Sequence, residues 1–74
     1  MIKINKLKAR MIELGFCMKS LSTEIGIDIS TLYRKLRHPD TFYLWELQQI
    51  QQILNLDKNQ IFDIFFDYGE VGGK

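Results

Sequence analysis

The stretch ISTLYRKLR at 29 to 37 concentrates side chains able to donate hydrogen bonds at spacings of three and four residues. On a helix turning 100° per residue, with Ser30 as origin, Tyr33 falls at about 300°, Arg34 at about 40° and Arg37 at about −20°. These four share one face. Leu32 and Leu36 lie opposite, at about 200° and 240°. A helix divided in this way rests one side on its own domain and offers the other to a partner. The chemistry offered matches duplex DNA. A guanidinium presents two parallel donors to guanine O6 and N7, while Ser, Thr and Tyr hydroxyls meet base edges or phosphates. The plainer alternative is a solvated helix in a small bundle. Ile29 falls close to Leu36, so it is placed either at the edge of the core or against a thymine methyl.

Little else in the chain bears on chemistry. It has 74 residues, 46% of them hydrophobic, which is enough for one domain with one core. Cys17 is the single cysteine and His38 the single histidine, so neither a disulfide nor a thiolate zinc cage can form within the chain. Cys17 is expected to be a buried or half-buried structural residue. His38, ahead of a proline, is expected at the surface. Glu13 with Glu24, and Asp63 with Asp67, are pairs of the kind that arises by chance on helices. No nucleophile stands beside a base, so no enzyme, metal, cofactor or small-molecule ligand is expected. No apolar run is long enough to span a membrane, and MIKINKLKAR lacks the apolar core of a signal peptide. The expectation is a reduced, cytoplasmic, soluble domain.

A net charge of +1 conceals a polarised chain. Residues 1 to 37 hold eight Lys and Arg against three acidic residues, and residues 38 to 74 hold two against six. A basic half of this kind points toward a polyanionic partner.

Five helical patterns position these residues, and no alternating run supports a strand. IKI at 2 to 4 and the terminal FDYGEV are the poor exceptions. Asn5 is placed to cap a first helix with the stripe Leu7, Met11 and Leu14, closed by Gly15. A second helix from Met18 places Met18, Leu21, Ser22 and Ile25 on one face and ends at Gly26. Ile27 is a buried connector, and Asp28 is placed to cap the third helix, which the sequence HPD ends after Arg37. The fourth helix covers about 44 to 54, with Leu47, Ile50 and Leu54 inward and Asn55 as its stop. Asp57 and Gln60 form a capping box ahead of the fifth, which is expected from Ile61 to about Phe66. The chain reads as one domain, 1 to 74, with its central helix pair at about 18 to 37 and a glycine-rich tail, 67 to 74, expected to fray.

These features together resemble the small helix-turn-helix domains of the phage Cro and lambda-repressor type, also called XRE-like. LKARMIELGF is similar to the first helix of that family. Ser22, Gly26, Ile27 and Leu32 follow the spacing of its motif, and ISTLYRKL resembles its recognition helices. FYLWELQQIQQILNLDKNQIFDIFF resembles the two closing helices of short phage regulators. The likeness spans about residues 5 to 66. It implies an all-α, compact five-helix bundle that binds an operator in double-stranded DNA. It further implies base or groove contacts from Ile29, Ser30, Thr31, Tyr33 and Arg34. Phosphate contacts are implied near Lys19, Lys35, Arg37 and Tyr43. The sequence departs from the family at Cys17 and Met18, where a Thr or Ser cap and a phosphate-binding glutamine are usual. Tyr43 likewise replaces the hydroxyl residue that opens the fourth helix.

The fifth helix is apolar all round, which requires cover on more than one side. Either a second copy of the chain or the folded-back tail supplies it. The first option gives a homodimer through Phe62, Phe65 and Phe66, with Trp45 joining from the fourth helix. The expected function is a Cro-like transcriptional repressor, phage or prophage in origin, that acts by occupying its operator. The alternative is an antirepressor-like protein-interaction module on the same scaffold.

Overall fold

Three chain breaks, at Gly15, Gly26 and the Pro39 turn, set how the helices fold onto one another. The computed structural model describes residues 2–66. Those residues form α1 (Ile4–Glu13), α2 (Met18–Ile25), α3 (Ile29–Arg37), a 3₁₀ turn at Pro39–Thr41, α4 (Leu44–Ile53) and α5 (Lys58–Phe65). No strand occurs among them, so the all-α expectation holds. The tail 67 to 74 lies outside the described residues. Of the described helices, none is long and apolar enough to cross a membrane.

One core joins all five helices. Leu7 and Met11 from α1, Leu21 and Ile25 from α2, and Leu32 and Leu36 from α3 meet Ile50, Leu54, Leu56, Ile64 and Phe65. Each such side chain contributes on the order of 1.5–3 kcal/mol when fully buried. Ser22 is also buried, and its hydroxyl donates to Lys19 O at 2.8 Å, which satisfies it without a partner from another helix. A small residue here lets α2 pack against both α3 and α4.

The first helix differs from expectation at both ends. It begins at Ile4 after Lys3, which makes no side-chain cap, so Asn5 is already inside the helix. Leu14 is 41% exposed, because the chain leaves the helix at that residue. Phe16 takes its place against the core after a left-handed Gly15, with the Phe16 N–H donating to Met11 O at 2.8 Å. Arg10 then closes the far end of α4. Its Nε donates to Leu54 O at 2.9 Å and its Nη2 to Asn55 O at 3.0 Å, where Asn55 adopts positive φ. A guanidinium suits this position because the last carbonyls of a helix carry partial negative charge.

The N-terminal segment is tied to α5. Ile2 is buried, and the Lys3 N–H donates to Ile64 O at 2.9 Å. The Lys6 and Lys3 ammonium groups bond opposite oxygens of Asp63. These bonds, that from Lys6 foremost, pull the Asp63 carboxyl down to about 2. A carboxyl held below its unfolded value of about 4 adds stability above that pH and loses it as pH falls. Asp63→Asn is therefore expected to flatten the dependence of unfolding free energy on pH between about 4 and about 2. Urea denaturation of both proteins across that range checks this; parallel curves would contradict it.

Candidate functional site

The site is built on α3 and on the segments that bracket it, the start of α2 and the turn into α4. At the α2 start, Cys17 is exposed, contrary to the expected burial, because its sulfur serves as the helix cap. The Ser20 N–H donates to Cys17 Sγ at 3.5 Å, and the Cys17 N–H donates to Ser20 Oγ at 2.9 Å. The pair reproduces a capping box with a thiol in place of a hydroxyl. Hydrogen bonding with Ser20, through its hydroxyl first and its N–H next, holds the thiol below its ordinary value. Lys19, in the first turn of α2, is exposed.

Between α2 and α3 the chain turns through Gly26 at φ 92°. Both the Gly26 and Ile27 N–H groups donate to Ser22 O, at 2.9 and 3.0 Å. A Cβ at Gly26 would touch nothing within 4 Å, so the glycine is required for its backbone conformation and not for space. Ile27 is half-buried against the core. Asp28 opens α3 in extended conformation, but its carboxylate accepts no cap bond, contrary to the expected role.

On α3, Ser30, Tyr33, Arg34 and Arg37 are exposed, while Leu32 and Leu36 are buried beneath them. Thr31 and Ile29 are half-buried at the margins. Among the described residues neither Arg34 nor Arg37 is in an ion pair.

Lys35 corrects the sequence-based assignment. Expected at a phosphate, it is instead buried, with 6% of its surface exposed. Its Nζ donates to Glu46 Oε1 at 2.7 Å and to Thr41 O at 3.1 Å. It also lies 4.4 Å from the centre of the Tyr43 ring. Glu46 is as deeply buried, and the same carboxylate oxygen accepts the Tyr43 N–H at 2.8 Å. One ion pair thus joins α3, the 3₁₀ turn and the first turn of α4. Glu46 was overlooked in the sequence, although it shares the i, i+4, i+8 row of Ile50 and Leu54 that faces the core. The wheel position of Lys35, about 140° from Ser30, is nearer Leu32 than the polar face.

Tyr43 is 62% exposed beside this network. Phe42 turns inward and meets Phe65 edge-on, with ring centres 5.6 Å apart.

The expected dimer residues separate. Phe65 is buried in the core and cannot serve as an interface contact. Phe62 and Phe66 are exposed and stack on each other at 5.6 Å. Phe66 lines a shallow cleft with Pro39 and Leu47. Trp45 is exposed but lies about 160° from Leu47 around α4, so it faces away from the cleft that Leu47 shares with Phe66.

Compared with known proteins, the chain matches no family model, no curated protein and no solved structure.

Removing one member of a buried ion pair strands the other, at a cost of about 3–5 kcal/mol, whereas replacing both by apolar residues is near neutral. Lys35→Met and Glu46→Leu are each expected to destabilise on that scale, and the double variant to recover most of the loss. Chemical denaturation of the three variants measures the coupling. Small, additive losses would show that the pair is not a unit.

Proposed function

We propose that this chain is a sequence-specific DNA-binding regulator of the lambda-repressor-like helix-turn-helix type. In this reading α2 and α3 are the paired helices, and α3 enters the major groove. The observation that carries the reading is the division of α3. Ser30, Tyr33, Arg34 and Arg37 stand exposed, with both arginines unpaired among the described residues, over an apolar face fixed to the core. Arg34, exposed in the middle turn of α3, is assigned to a guanine edge, with Ser30, Thr31 and Tyr33 beside it. Ile29, half-buried, is left for a methyl contact at the margin. Arg37, Lys19 and Tyr43 bracket the helix and are assigned to phosphates. Lys35 is removed from that set, because its ammonium is already taken by Glu46.

The polarity of the chain agrees with this arrangement, since its basic half contains the first three helices. The regulator acts by occupancy, a homodimer excluding polymerase or a competing protein from the operator. Phe62 and Phe66 form the dimer face. Two copies joined there would present two α3 helices to one side of a duplex, about one helical turn apart.

Arg34→Ala is expected to cost about 1–3 kcal/mol at one base pair of a cognate duplex and to relax discrimination there. Arg37→Ala is expected to weaken all duplexes alike and lower the salt slope by about one unit. Fluorescence anisotropy in a salt series reads both. Binding that falls little with salt would favour a protein-interaction module instead. In sedimentation, Phe62→Asp should run as a monomer where the parent chain runs as a dimer; an unchanged mass would remove α5 as the interface.

A further inference from the structure

A cleft of about 480 Å³ opens beside the C-terminal half of α3, between that helix, the N-terminal segment and the start of α2. Its floor is apolar: Ile2, Ile4, Met18 and Leu36. Lys8 and Arg37 stand at its rim, along with His38, and among the described residues no carboxylate lines it. Among the described residues neither Lys8 nor Arg37 is in an ion pair. Met18 contributes here, the residue whose apolar side chain fits no phosphate contact. Clefts of roughly 300–1,000 Å³ with an apolar lining and a few placed polar groups are typical of small-molecule sites.

We propose that this cleft binds a small amphipathic carboxylate, a medium-chain acyl acid, with its chain on the apolar floor and its carboxylate at Lys8 and Arg37. Charge complementarity selects this ligand class. An amine would meet two cations with no counter-charge, and an inorganic phosphate would leave the floor unused. A neutral alcohol would fill the floor but lose the ionic contact. The consequence for regulation rests on the DNA-binding reading. Tyr33 lines the same cleft, and Arg37 is assigned to a phosphate, so an occupied cleft competes with the duplex for both.

Decanoate, decanol and decylamine, each below its aggregation limit, are titrated into the full chain and followed by methyl NMR of Ile2, Ile4 and Met18. Decanoate should saturate these signals with at least about tenfold higher affinity than decanol, and decylamine should not bind; tenfold corresponds to about 1.4 kcal/mol. Lys8→Gln, outside the proposed DNA contacts, should remove most of the preference for decanoate over decanol. Equal affinity for the three compounds, or an unchanged preference in that variant, would overturn the proposal. Saturating decanoate should also lower duplex affinity several-fold in the parent chain and less in Lys8→Gln. If decanoate binds as described and duplex affinity does not move, the competition is overturned. If no duplex binds under any condition, the DNA reading falls and the cleft's assignment stands.

Discussion

A charge can be taken out of water only if something inside the protein replaces the water, and in this chain Glu46 does so for Lys35. The carboxylate oxygen that meets the ammonium at 2.7 Å also accepts the Tyr43 N–H, and the ammonium also meets the Thr41 carbonyl. Three segments remote from one another in structure type are therefore fixed by a single contact set. If α3 rotated about its own axis, Lys35 would leave Glu46, and the buried carboxylate would keep the Tyr43 N–H but lose its counter-charge. The pair thus sets which face of α3 turns outward, a property that apolar packing alone specifies weakly. Leucines tolerate small rotations; a buried charge with three partners does not.

The remaining devices act in the same direction. Gly26 permits a reversal too tight for residues that resist positive φ. The thiol cap at Cys17 and the Arg10 clamp on the end of α4 satisfy helix-terminal groups that would otherwise need water. The N-terminal segment is pinned to α5 by a backbone hydrogen bond and by two lysines on Asp63. Short helices of eight to ten residues are marginal in isolation, so these contacts and the shared core hold them in place together. What remains exposed on α3 is then an array of hydroxyls and of guanidinium groups unpaired among the described residues, and the proposed reading of a groove depends on the helix being held in that orientation.

The helix count and the outward face of α3 were legible in the sequence because both follow from local rules. Apolar spacing, two glycines and one proline located the breaks, and the Asp57–Gln60 box marked the entry to α5, although the helix starts at Lys58, three residues ahead of the expected Ile61. What escaped was decided by contacts between segments far apart in the chain. Lys35 looked like a surface lysine until Glu46, eleven residues on, was seen to face it. Phe65 looked like one of several exposed aromatics until Phe42 covered it. Leu14 fitted the stripe of the first helix, but the chain had already left the helix there and Phe16 filled the space. Cys17 was misplaced for a different reason: burial statistics for cysteine say nothing of a thiol acting as a cap.

The central claim is that the exposed face of α3 reads a specific duplex sequence. Selection of bound fragments from a random duplex pool by the full chain, at physiological salt, addresses it with no operator assumed. Enrichment of one short motif, present as two inverted half-sites separated by about one helical turn, is expected. A recovered pool indistinguishable in sequence from the starting one would contradict it.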